Sequence, residues 1–417
     1  MKAPGSIDVT IIGAGMIVHD LLLPDVYHLQ RLGIVGDIRV VSQHGRSIRK
    51  LKENAAIRAA FPGQDFEGFP DPDADPETPH PQGYREALAA MSPRQAVLIA
   101  LPDQMHYGVL KDVLAAGHHI LCVKPLVQTY SAAHEVARMA YERGLFIGVE
   151  YHKRFDTRAL MARHAYRRGD FGEFVMGEAK MIEPYFYRHS NFQNWFTCEN
   201  SDPFTYVGCH YVDLVNFITG LRPRAVSVTG VKGRFPNGNE GYMWANGRVI
   251  WENGAVLSVI DGLGYPDAGA GSNDQCLQMF CEGNGKSAEI RHDDQYRGVS
   301  HCYLEGIGCG GSAFNYVSPD FFRLIPWEGE GLQPVGYGYE SVAANLRAIH
   351  RIENQPDAGE VATRQAAIRA IDDKGLIATP NNSYINELVT EAARLSIAHD
   401  GQFVDIVYVE KPEVVLR

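Results

Sequence analysis

Ile7 to Ile12 is a short apolar, β-branched run, and an amphipathic pattern follows it from about Met16 to Leu32. The alternation returns further on. Gln95–Leu101, His118–Val123 and Leu145–Glu150 read as strands, with helical patterns at Gln104–Ala116 and Ser131–Arg143 between them. Strands alternating with helices predict a parallel sheet with right-handed crossovers. Ile38–Ser42 reads as the second strand of that sheet, and Phe61–Gln82, rich in Pro, Asp and Gly, as a surface loop. Beyond residue 150 the pattern changes. Glu173–Ile182, Ala225–Gly230, Arg248–Glu252, Val256–Asp261, Gln275–Cys281 and Ser287–Arg291 read as strands, divided by turn signals such as Pro236-Asn237-Gly238 and Asn253-Gly254. Gly338–Glu353 and Ser383–Ala398 are amphipathic helices, and Gly306–Gly311 reads as a mobile loop. The expectation is an α/β chain of two domains, 1–150 and 151–417, whose C-terminal helix is able to pack back on the first.

Ser201 to Gly220 reads as a helix with both ends marked. Asp202 can cap the first amides, Pro203 suits the first helical position, and Gly220 suits the left-handed residue past the end. Tyr206, His210 and Asp213 recur at i, i+4 and i+7 and share one face. Gly208, inside the helix, costs about 1 kcal/mol relative to Ala. That cost implies a close approach to the backbone.

The chain has 417 residues, too many for one ordinary core, and its formal charge of −11 argues against nucleic-acid and anionic-membrane partners. No apolar run is long enough to span a bilayer, and the N-terminus goes straight into a strand pattern, so a cytoplasmic protein is expected. The 7 cysteines are scattered and lack CxxC spacing, which fits reduced thiols. His106, His152, His189 and His210 lack short-range ligand spacing, so no metal site is expected.

After the first strand comes Gly13-Ala14-Gly15-Met16-Ile17-Val18. Strand, glycine turn and helix form the order a dinucleotide site needs. Gly13 allows the tight turn, Gly15 lets the backbone approach a pyrophosphate, and the amides around Met16 and Ile17 face its charge. The second strand ends at Ser42 without the acid that usually holds an NAD ribose. Ser42 and Arg46 can receive a 2′-phosphate instead, so NAD or NADP is expected, with a lean to NADP. Later, Tyr185 to Phe196 interleaves aromatics with amides, Arg and His. Rings can cover sugar C–H faces while amides bind hydroxyls. His189, Gln193, Asn194 and Trp195 are therefore candidate substrate contacts.

Leu101-Pro102…His106, Lys124-Pro125, Tyr151-His152-Lys153-Arg154-Phe155 and Tyr206-Val207-Gly208-Cys209-His210…Asp213 follow the glycine turn in an order that resembles the Gfo/Idh/MocA family of sugar and polyol dehydrogenases. The resemblance implies an N-terminal Rossmann domain and a C-terminal α/β domain on a large, mostly antiparallel open sheet. It implies that Leu101, Pro102, His106, Lys124 and Pro125 line the cofactor, that His152 and Arg154 face the substrate, and that the chain is a homo-oligomer, dimer or tetramer. Two residues depart from the family pattern: Val123 stands for a Glu and Tyr206 for an Asp. The catalytic set is then Lys124 and His210 with the Tyr206 phenol. His210 takes the hydroxyl proton, Lys124 stabilises the oxygen, and Asp213 pairs with backbone or Arg154. The expected function is NAD(P)-dependent oxidation of a secondary hydroxyl on a sugar, glycoside or cyclic polyol. Two alternatives stand beside it: a transient-redox enzyme that cleaves a glycoside or acts as a lyase with bound NAD, and a non-catalytic sugar or dinucleotide sensor.

Overall fold

The computed structural model describes residues 3–75, 78–268, 273–283, 285–293 and 320–417. Gly306–Gly311 lies outside them. The chain forms two compact units. The first gathers Met1–Leu126, His134–His152 and Phe322–Asn382, and the second gathers Val127–Ala133, Lys153–Phe321 and Ser383–Arg417. A crossing near residue 150 was expected; the chain also crosses at 126/127, 133/134, 321/322 and 382/383.

The first unit is built on a six-stranded sheet of β1 (Ile7–Ile12), β2 (Val35–Val41), β3 (Glu67–Phe69), β4 (Ala96–Ile99), β5 (His119–Val123) and β6 (Ile147–Glu150). Its order is β3-β2-β1-β4-β5-β6, and every neighbouring pair is parallel. β1, β4, β5 and β6 are buried almost throughout, as strands of a parallel sheet covered on both faces are. Strand order reverses between β1 and β4, where ligands enter such sheets. β3 falls inside the stretch read as loop; three residues are too few to show a period. Helices Tyr337–Glu353 and Val361–Lys374 belong to this unit. Arg364 holds the second of them, donating to the carbonyls of Gly144 and Arg143 at 3.0 Å each. Glu353 anchors the first through Arg94 at 2.7 Å and His119 Nε2 at 2.9 Å.

The second unit is built on an eight-stranded sheet. Its strands are β7 (Glu173–Pro184), β8 (Pro223–Arg234), β9 (Glu240–Trp251), β10 (Val256–Tyr265), β11 (Asp274–Gly283) and β12 (Lys286–Asp293), then β15 (Val404–Val407) and β16 (Glu413–Leu416). In the first unit, Arg323–Pro326 and Leu332–Val335 form a separate hairpin, β13 and β14. The order is β12-β11-β7-β10-β9-β8-β15-β16, with only β7 and β10 parallel. β9 begins earlier than expected: Tyr242 to Ala245 is apolar at every position and shows no period of two, and glycines stand on either side at 241 and 247. One face packs Leu257, Val259, Leu277 and Met279 against helices Cys209–Thr219 and Ile385–Ala398. The other face leaves Met176, Ile260 and Phe280 at 51%, 43% and 43% exposure. Met176 and Phe280 are direct cross-strand partners on that face.

Candidate functional site

The glycine turn follows β1. Gly13 has φ 118°, and a Cβ there would lie 2.1 Å from the Ala100 carbonyl oxygen, so the turn admits only glycine. Gly15 differs: its Cβ would meet nothing within 4 Å. No protein neighbour requires glycine at that place, whereas a ligand pressed against the backbone does. The chain turns helical at Met16, and the leading amides of a helix have no partner within it. This arrangement fits a dinucleotide pyrophosphate, with Met16 and Ile17 at the helix start.

Val18 stands where the fingerprint has its third glycine. Val18–Leu22 forms a π-helical turn that runs into helix Leu23–Arg31. Within it, burial lowers His19 to about 4, with help from Lys50. Burial pushes Asp20 up to about 7, opposed by Lys50. Lys50 and Arg46 are one turn apart on helix Gly45–Lys52, both exposed, and both line an open pocket with Arg49 and Asn54. Arg49 already donates to the Pro72 carbonyl at 2.6 Å. Ser42 donates its amide to Phe69 just past the end of β2.

His106 is fully buried, and its two ring nitrogens lie 2.9 Å from the carbonyl oxygens of Leu101 and Pro125. It therefore joins the segments that leave the carboxyl ends of β4 and β5. Pro102 precedes a 3-10 turn on the first segment, and Lys124, half-buried, begins the second. At the end of β6, Glu150 Oε2 lies 2.8 Å from His152 Nδ1, and Tyr337 stacks on the imidazole.

In the second unit, the expected helix from Ser201 to Gly220 is present with altered winding. Asp202 caps it, accepting from the Thr205 amide at 2.9 Å and the Thr205 hydroxyl at 2.7 Å. Phe204–Gly208 is π-helical, Cys209–Thr219 is α-helical, and Gly220 closes it with φ 81°. Tyr206 and Gly208 thus lie in a π-helical turn where a regular helix was expected, because such a turn changes hydrogen-bond register and leaves the apolar period unchanged. The close approach at Gly208 is Asp261 of β10, whose Oδ2 would lie 2.5 Å from a Cβ on that glycine. His210 is 2% exposed, and Tyr206 is half-buried. Asp213 accepts from Arg154 Nε at 2.7 Å and Nη2 at 2.5 Å, and from Asn386 at 2.9 Å.

The aromatic segment packs on this helix. The Tyr206 ring meets Phe192, Trp195 and Phe196 edge-on at centroid distances of 5.2, 5.9 and 5.7 Å. Gln193 accepts from Asn237 and Asn239, and Asn194 donates to Asn191 at 2.9 Å, so these amides cap the turn between β8 and β9. His189 is exposed, and its ring lies 5.6 Å from Tyr185.

Sequence reasoning missed Asp20, Lys50, Glu150 and Asp261. Glu150 had a signal, a carboxylate ending an otherwise apolar strand two residues before a histidine. Asp261 had none, since the glycine it approaches is distant in sequence.

A six-stranded parallel sheet in this order, with an open glycine cradle at its reversal point, is a dinucleotide-binding Rossmann domain. Residues 7–151 match the family described as "Oxidoreductase family, NAD-binding Rossmann fold". Residues 7–151 are thus similar to the NAD-binding domain of the Gfo/Idh/MocA oxidoreductases. An uncharacterized oxidoreductase of Schizosaccharomyces pombe is 34% identical over 109 residues, 26% of this chain and 30% of that protein. D-glucoside 3-dehydrogenase of Escherichia coli is 25% identical over 139 residues, 32% of this chain and 38% of that protein. The matches thus span less than half the length of these relatives. The crystal structure of myo-inositol 2-dehydrogenase from Lactobacillus plantarum superimposes with a TM-score of 0.61 at 14% identity, covering 96% of this chain and 100% of that one, which shows a shared fold. No described helix is long and apolar enough to cross a membrane.

Proposed function

We propose that the protein is an NAD(P)-dependent dehydrogenase acting on a secondary hydroxyl of a sugar, glycoside or cyclic polyol. The observation that carries the proposal is Gly15, a glycine at the switch point whose missing side chain faces open space. The names of the relatives, a glucoside and an inositol dehydrogenase, support the substrate class. When bound, the nicotinamide supplies the hydride acceptor. The chain supplies the rest. Lys124 donates to the hydroxyl oxygen and stabilises its developing negative charge, and His210 takes the proton. Tyr206, held among aromatic edges, orients the hydroxyl. His189, Trp195 and His152 are the proposed substrate contacts. Arg154, Gln193 and Asn194 have protein partners and act as supports.

Ser42, Arg46 and the neighbouring Lys50 favour NADP over NAD. The exposed apolar face around Met176, Ile260 and Phe280 supports a homo-oligomer, with a second copy covering it. We place the protein in the cytoplasm. Lys124→Ala and His210→Asn test the assignment. Each loses turnover by at least about a hundredfold, the scale of a general acid or base, while dinucleotide binding is retained. Unchanged turnover in either variant overturns its role.

A further inference from the structure

His106 is 0% exposed, and its ring nitrogens face two different segments of the first unit. Nε2 lies 2.9 Å from the carbonyl oxygen of Leu101, 5 residues back along its own turn. Nδ1 lies 2.9 Å from the carbonyl oxygen of Pro125, 19 residues further on. Carbonyl oxygens only accept, so the imidazole is the donor in this bridge. The turn beneath the ring is closed by the Met105 amide, which donates to the Pro102 carbonyl at 2.9 Å. A ring with no exposed surface and both nitrogens facing the backbone presents nothing to a ligand. What it does is hold one segment to the other.

The segments need such a link because the sheet stops short of them. β4 pairs with β5 as far as Ile99 and Cys122, and β5 pairs with β6 as far as Val123 and Glu150. Lys124 is then the single residue between two fixed points, the Val123–Glu150 pair before it and the bridged Pro125 carbonyl after it. Around it Cys122 and Pro125 to Val127 are buried, while Val123 and Lys124 are half-buried. The backbone that carries Lys124 is therefore pinned on both sides. A side chain that must meet a reacting atom depends on this, since a displacement of about 1 Å can cost about a hundredfold in rate. We infer that His106 is a positioning residue for Lys124: by bridging the Leu101 and Pro125 carbonyls, it fixes where the Lys124 backbone leaves the sheet. The kinetic half of the inference rests on the dehydrogenase reading above; the bridge does not.

The test uses the full-length protein with His106→Leu, which fills the space without a donor, and His106→Gln, whose one amide nitrogen cannot serve carbonyls on opposite sides. The first reading is acylation of lysines by an N-hydroxysuccinimide ester, followed by peptide mass spectrometry. In His106→Leu the Lys124 rate rises severalfold, while that of Lys111, on the same helix as His106, is unchanged. The second reading is kinetic. In His106→Leu kcat falls at least about tenfold, on the order of one misplaced catalytic group, with unchanged dinucleotide affinity and a smaller change in the KM of the hydroxyl substrate. His106→Gln shows the same pattern with a smaller loss. In a Lys124→Ala background His106→Leu costs nothing further, because the two residues act as one unit. Wild-type Lys124 labelling and kcat in His106→Leu overturn the inference. So do equal rises at Lys124 and Lys111, a loss that persists in full without Lys124, and a loss confined to dinucleotide affinity. If His106→Leu fails to fold, His106→Gln decides by the same readings. Faster labelling of Lys124 alone, in a protein that turns over no hydroxyl substrate, supports the bridge and counts against the dehydrogenase reading alone.

Discussion

A side chain as small as alanine at position 208 would bring its Cβ to 2.5 Å from Asp261 Oδ2. The contact joins the π-helical turn that holds Tyr206 to β10, directly ahead of His210. It explains why a helix keeps a glycine in its interior. In Gly208→Ala the gain in helix propensity, about 1 kcal/mol, is opposed by overpacking of roughly 1–3 kcal/mol. The expected result is a folded protein of equal or lower thermal stability whose turnover falls at least tenfold, on the order of one misplaced catalytic group. A variant more stable than the wild type and fully active would show that the approach does not matter.

Arg154 and Asp213 form a pair in which both side chains are 2% exposed. Removing one partner strands a buried charge and costs about 3–5 kcal/mol. Arg154→Ala and Asp213→Ala are each expected to lose stability on that scale in denaturant unfolding. The double variant should lose much less than the sum. Additive losses would mean that the pair contributes little.

Asp20 gives the glycine turn a pH dependence. In the unfolded chain it ionises near about pH 4, and in the fold only near about 7. Between those values the folded state keeps a proton that the unfolded state has released. Stability from this group therefore falls as pH rises through that window and is level above it. Asp20→Asn should flatten that part of the profile in thermal melts at pH 5 and 8, and be the more stable protein at pH 8. A profile parallel to the wild type would remove Asp20 from the account.

Arg46 and Lys50 predict cofactor preference. Arg46→Ala should weaken NADP+ binding by roughly tenfold or more, the scale of a charge-assisted hydrogen bond, and leave NAD+ unchanged. Ser42→Asp should favour NAD+ by supplying the missing ribose acceptor. Equal effects on both cofactors would refute a 2′-phosphate site.

Much of this was legible in the sequence because it follows local rules. The β-branched runs of β1, β4, β5 and β6 and the glycine turn could be read directly, and Arg154 was one of two partners the sequence offered for Asp213. What escaped depends on distant packing. The π turns at Val18 and Phe204 change hydrogen-bond register without changing the apolar pattern. That the Gln193 backbone carbonyl takes Asn237 and Asn239 could not be read either, because it depends on where the turn between β8 and β9 lands. The return of residues 322–382 to the first unit rests on contacts such as Arg364 with Gly144, 220 residues apart in the chain.

The central claim is the dehydrogenase reading, and nicotinamide absorbance tests it most directly. The purified protein is mixed with NAD+ or NADP+ and a panel of sugars, glycosides and inositols, and products are analysed in parallel. The account predicts reduced cofactor accumulating with at least one substrate, faster with NADP+, and no accumulation in Lys124→Ala. Dinucleotide and sugar binding with no reduction and no product would contradict it, and product without net reduction would replace it with transient redox chemistry.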